Sequence, residues 1–123
     1  MDNLDKEARL LGKLVTIRES FLQRTRSELP ALLELLGRIQ AGDSTGLAQL
    51  QIYAHRIHGS GATFDFAAIS ETAGQIENLL EALIGTPAAS AVEPHRLRCL
   101  VDCGRRLALE IGATTTQASG VHR

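Results

Sequence analysis

Apolar residues recur along the chain at spacings of three and four, the period of helices with one buried face. The first such run covers about Leu4 to Gln40, open to interruption near Gly12. Its apolar positions are Leu14, Ile17, Phe21, Leu22, Leu29, Leu32, Leu36 and Ile39. Pro30 lies inside this run. Proline lacks the amide donor and clashes with the preceding turn, which predicts a kink or a break there, with Ser27 placed to cap a new helix. A second helix is predicted from about Ser44 to Phe64. A third follows Asp65 to about Ile84, with Ile69, Ala73, Ile76, Leu80 and Leu83 on one stripe. The fourth starts near Pro94, a residue suited to a first helical turn, and runs to Ile111, with Leu97, Leu100, Val101, Leu107 and Ile111 aligned. No sustained period-two alternation predicts a strand.

Turn-forming residues separate these runs. Ala41-Gly42-Asp43-Ser44-Thr45-Gly46 is one cluster, and Gly85-Thr86-Pro87 and Glu93-Pro94 bracket an Ala- and Ser-containing loop. Residues 112–123 are nearly devoid of apolar side chains and are expected to fray. Four stripes on short connections favour antiparallel neighbours. The expected fold is all-α: an antiparallel four-helix bundle over residues 1–111 with an extra N-terminal helical segment, followed by a flexible tail over 112–123.

Composition narrows the function classes. The chain has 123 residues and a net charge of −1, so it lacks the basic surface of a nucleic-acid binder. Aromatic residues make up 3% with no Trp, too few for base-stacking platforms. No apolar run approaches the roughly 18 residues of a membrane span. The acidic start Met1-Asp2-Asn3-Leu4-Asp5 has no signal-peptide core, and Cys99 and Cys103 make no disulfide framework. A cytoplasmic monomer is expected, with no nucleic acid or membrane as partner and no intrinsic cofactor or metal.

The second helix carries the candidate chemistry. At 100° per residue, Leu47, Leu50, Ala54, Ile57, Gly61 and Phe64 share the core side, and His55 points towards solvent. Around His55 lie Ala48, Ile52, Gly59 and Ala62, where a solvated face ordinarily carries Lys, Glu and Gln. Gly59 costs the helix about 1 kcal/mol relative to Ala, and close approach of another molecule to the imidazole is the candidate that offsets it. Gly61 faces the core and reads as a packing residue. Neutral imidazole is nucleophilic near pH 7, and histidine forms covalent intermediates. No phosphate-binding loop, dinucleotide motif, nucleophile elbow or His-Glu-x-x-His pair accompanies it, so the reaction partner and its metal must come from another protein. A metal site of His55, His58, Cys99 and Cys103 lacks the tight paired spacing of structural zinc sites. Arg18, Arg24, Arg26 and the Glu77/Glu81 pair read as solvated faces. Arg56 points away from His55 and offers its charge to an acidic partner.

The segment Ala54-His55-Arg56-Ile57-His58-Gly59-Ser60-Gly61-Ala62 resembles the signature of histidine phosphotransfer (HPt) domains, Ala-His-x-Leu-Lys-Gly-Ser followed by small residues. Phe21-Leu22, Ala41-Gly42-Asp43 and Ala67 to Leu80 with Ile76-Glu77 extend the resemblance over roughly 17–83. The resemblance implies that His55 is the phosphoacceptor. It implies exchange of a phosphoryl group with an Asp on response-regulator receiver domains, including that of a hybrid histidine kinase. The receiver then supplies the carboxylate and Mg²⁺. Gln51 and His58 are placed near the phosphoryl oxygens, and Ala48, Ile52, Gly59 and Ala62 form the docking face. Two positions depart from the pattern. His58 stands where the family has Lys and neutralises phosphate only when protonated, so it reads either as phosphoryl support or as a boundary histidine. Asp65 stands where the family typically has Gly and reads as the N-cap of the third helix. These departures motivate an alternative function, a non-phosphorylated helical module that regulates a receiver or a histidine kinase by binding.

Overall fold

A computed structural model describes residues 2–84 and 94–114. The elements are helix α1 (Asp2–Gln40), a 3₁₀ turn (Ser44–Gly46), α2 (Leu47–Thr63), α3 (Ala67–Ile84) and α4 (Pro94–Ala113), with no strand among the described residues. Each helix packs on the next and α1 also packs on α4, closing the all-α bundle predicted above. Its core joins Leu22, Leu32, Leu36 and Ile39 of α1 to Leu50 and Ile57 of α2, Ile69, Ile76 and Leu80 of α3, and Leu100, Leu107 and Ile111 of α4. The apolar stripes read from α2, α3 and α4 face this core, with Leu47, Phe64, Leu83 and Leu97 at its margin. Burial of each such side chain contributes about 1.5–3 kcal/mol.

The first helix departs from expectation. It is continuous over 39 residues, with no break at Gly12 or Pro30. Ser27 does not cap a new helix; its hydroxyl donates to the Arg24 carbonyl at 2.7 Å. Pro30 is exposed, so its ring faces water, while Thr25, Leu32, Leu36 and Ile39 are buried on either side of it and hold the helix on the bundle. Tertiary burial therefore outweighs the local cost of proline. The expected extra N-terminal segment is the first half of this same helix rather than a separate element. It extends beyond the bundle, so Leu14 and Ile17, placed in the apolar stripe from the sequence, are exposed.

Local chemistry sets the turns. Asp43 accepts hydrogen bonds from the Thr45 amide (3.0 Å) and hydroxyl (2.6 Å), and these bonds start the 3₁₀ turn that leads into α2. At the other end of α2, Phe66 N–H donates to Gly61 O (2.8 Å) and Asp65 N–H to Ala62 O (3.3 Å). This is the pair of bonds that ends a helix in a Schellman motif. Asp65 occupies the left-handed position of that motif, with φ 70°. It is thus the C-terminal stop of α2 and not the N-cap of α3. Glycine is the least strained residue at such a position, and Asp is among the few others that tolerate it. The Phe21 ring packs against Phe64 and Phe66 of the turn, at centroid distances of 5.8 and 5.4 Å.

Three arginines read as solvated have partners. Arg18 lies over the Phe66 ring at 4.7 Å, Arg24 pairs with Glu28 at 3.3 Å, and Arg26 donates to the Ile111 and Thr114 carbonyls at the end of α4. Arg56 pairs with Glu28 across the α1–α2 seam, so its charge serves the bundle rather than an incoming partner. The helix α4 passes Ile111 and ends at Ala113, so it includes the first two residues assigned to the tail. The 85–93 loop and residues 115–123 of the tail lie outside the described residues.

Candidate functional site

The site forms on the seam between α2 and α3. Gly61 is buried there, and a Cβ at its position would lie 3.2–3.3 Å from Ser70, so glycine permits close approach of the two backbones. Ser70 Oγ donates to the His58 carbonyl at 2.7 Å and pins the seam one turn further along. The antiparallel register then sets His58 against Gly74 and His55 against Glu77. A Cβ on Gly74 would meet the His58 ring at 3.1–3.3 Å, so this second glycine makes room for the imidazole.

Glu77 joins the two histidines. Its Oε2 lies 2.5 Å from His55 Nδ1 and its Oε1 lies 3.0 Å from His58 Nδ1. Its side chain is 17% exposed, against 78% for His55 and 48% for His58. Burial by itself raises the Glu77 pKa, but hydrogen bonds from His55 and His58 outweigh it and hold the carboxyl below its usual range. At neutral pH this carboxylate only accepts hydrogen bonds, so each imidazole donates from Nδ1. The neutral His55 ring therefore keeps its lone pair on Nε2, on the side away from Glu77. The arrangement is an exposed, oriented nitrogen nucleophile with a carboxylate behind it.

The residues singled out around His55 lie where the helical register puts them. Ala48, Ile52, Gly59 and Ala62 are exposed, and Gln51 is half-buried. Ile52 is 60% exposed, a large apolar side chain one turn before the histidine. A Cβ on Gly59 would meet nothing within 4 Å, so no packing among the described residues explains this glycine. The residue that sequence reasoning placed wrongly is Glu77. The sequence suggests a solvated face for it, and its signal is its place in Ile76-Glu77 within the family-like stretch. Only the α2–α3 register shows that it meets His55.

Among the described residues no group of three or more His, Cys, Asp and Glu is placed to hold a metal ion. Cys99 and Cys103 lie on α4, where their contacts are His95 and Gln75, and they do not join the histidines of α2. Among the described residues no helix is long and apolar enough to cross a membrane.

The family model described as Hpt domain matches residues 16–114. No curated protein and no solved structure matches the chain.

Proposed function

The chain belongs to the Hpt domain family, the phosphotransfer modules of two-component signalling, and from that premise we propose that His55 relays a phosphoryl group between aspartates of receiver domains. The observation that carries the proposal is the Nδ1 contact of exposed His55 with Glu77, which leaves Nε2 facing solvent. In the forward step Nε2 attacks the phosphorus of a receiver's aspartyl phosphate. The P–N bond forms as the P–O bond to the aspartate breaks, and the bonding pair leaves with the carboxylate. His55 keeps its Nδ1 proton, and the Glu77 carboxylate offsets the positive charge that grows on the ring. The same in-line path run backwards delivers the group to a second receiver. Positioning and charge complementarity supply the catalysis, as in other phosphoryl transfers, and the receiver brings the Mg²⁺.

The outer face of α2 is the docking surface in this proposal. Ile52 supplies an apolar contact, and Ala48, Gly59 and Ala62 keep the surface low enough for a receiver's aspartate to reach Nε2. Gln51 and His58 flank the transferred oxygens, one a neutral donor and the other a cation when protonated. A receiver domain and the hybrid kinase that carries one are the partners this surface fits.

The test is transfer from a phosphorylated receiver in the presence of Mg²⁺, with the His55→Gln variant alongside. Acid-labile, alkali-stable label on the wild type and none on the variant is the expected result. Label retained by the variant would falsify the assignment. Binding of the receiver without label on either protein would instead identify a non-phosphorylated regulatory module, for which His58 in the family's lysine position is the specific reason.

A further inference from the structure

The first half of α1 presents an apolar face that the bundle does not cover. Seven-residue steps along the helix give Leu4, Leu11, Arg18, Thr25, Leu32 and Ile39. Thr25, Leu32 and Ile39 are buried in the chain's own core, whereas Leu4 and Leu11 are 65% and 63% exposed. Leu10, Leu14 and Ile17 are exposed on the same side. Asp2, Asp5, Lys6, Arg9, Lys13 and Glu19 all fall on the opposite side. A row that is buried in its second half and built of leucine in its first has the pattern of a helix that packs along its whole length. Length explains why it is bare. The 39 residues of α1 span about 58 Å, but the 17, 18 and 20 residues of α2, α3 and α4 span only about 26–30 Å. The family match starts at residue 16, so most of this stripe precedes the phosphotransfer domain.

Two charges interrupt the stripe, Glu7 and Arg18, and among the described residues neither forms a salt bridge. Their placement selects the occupant. A two-fold axis between Gly12 and Lys13 sets Leu11 of one chain against Leu14 of another, and the same axis sets Glu7 against Arg18. A parallel pair in register would set Glu7 on Glu7 and Arg18 on Arg18. Residues 85–93 and 115–123 contain no Leu, Ile, Phe or Met with which this chain could cover its own stripe. Beside the stripe, Leu11, Leu14, Val15 and Arg18 line a groove of about 480 Å³ with Thr63, Phe64 and Asp65 at the end of α2, open to side chains of a second helix laid along the stripe.

We propose that the N-terminal half of α1 pairs antiparallel with the same segment of a second copy of this chain, with Glu7 of each copy opposite Arg18 of the other. The pairing is isologous, so it closes as a dimer. It uses none of the residues around His55 and does not depend on phosphotransfer.

Sedimentation of the full chain from about 1 μM to about 1 mM tests the pairing, since weak and stable interfaces separate over that range. The wild type is expected to move to twice the monomer mass as concentration rises. The double variant Leu11→Asp/Leu14→Asp stays monomeric with unchanged helical circular dichroism, because both side chains are exposed in the monomer. Glu7→Arg weakens the dimer about tenfold or more by setting like charges together, and adding Arg18→Glu restores it. Arg18→Glu alone is followed by thermal unfolding, which isolates the loss of its contact with Phe66. A wild type that stays monomeric at the highest concentration overturns the proposal, including when the stripe then captures a different protein. So does a dimer indifferent to the leucine pair. Failure of the double charge reversal to restore pairing overturns the antiparallel register.

Discussion

At His55, one carboxylate decides which nitrogen carries the proton. Glu77 accepts from Nδ1 of both His55 and His58, and its lowered pKa keeps it ionised to accept. Glu77→Gln removes that charge, and the amide can either accept or donate at Nδ1, which frees the tautomer. Glu77 is a positioning residue here, and phosphoryl transfer to the variant is expected to fall roughly 10–100-fold, as when the partner orienting a metal-bound histidine is lost. The acid limb of stability gives a separate readout. A carboxyl whose pKa is lower in the folded chain stabilises it above the unfolded value and loses that contribution as pH falls through the folded value. The Glu77 contribution is therefore complete above about pH 4.5, the ordinary value of a glutamate, and declines as pH falls below it. Urea titrations between neutral pH and pH 3 are expected to show a smaller acid loss for Glu77→Gln than for the wild type; equal losses would contradict the ionised pairing.

At the scale of elements, burial overrides local preference in α1 and backbone geometry overrides it at Asp65. Pro30 leaves one helical hydrogen bond unmade, and the helix nevertheless continues because both flanking turns are buried in the same core. Proline inside a helix costs about 3 kcal/mol relative to alanine, less what it gains by restricting the unfolded chain. Pro30→Ala is accordingly expected to stabilise the chain by about 1–3 kcal/mol, measured as a higher denaturation midpoint at unchanged slope. A lower midpoint would mean that the ring makes contacts the helix needs. At the α2–α3 turn, the Asp was legible as a breaker, but its side of the break was not. Both an N-cap and a left-handed C-terminal stop favour small polar residues, and only φ at Asp65 separates the two roles.

For the whole molecule, the imbalance of helix lengths divides the leucines into two classes. Leu80 is fully buried at the centre of the bundle, whereas Leu11 lies on the overhang. Leu80→Ala is expected to cost about 2–5 kcal/mol through lost transfer energy and the cavity it leaves. At concentrations too low for the proposed pairing, Leu11→Ala is expected to change stability by no more than about 0.5 kcal/mol. Chemical denaturation of the two variants side by side checks the division, and similar losses would show that the overhang folds back on the bundle. The overhang is also what motivates the proposed antiparallel dimer, since a 39-residue helix exposes more apolar length than three shorter neighbours cover.

Periodicity and punctuation by themselves determined α2, α3 and α4, their inward stripes, and the outward direction of His55, because each follows from local spacing along one helix. The motif around His55 was legible for the same reason, as its residues lie within nine positions of one another. The tertiary structure decided everything that needs two elements at once. The closeness of Gly61 to Ser70 sets the α2–α3 register, and that register brings Glu77 to His55 from 22 positions away. Packing on both sides of Pro30 kept α1 whole, and the shorter span of its neighbours left Leu4, Leu11 and Leu14 bare. Spacing along the chain fixes which residues share a helix face, but which faces meet depends on the distances between helices, and those are settled only when the core is packed.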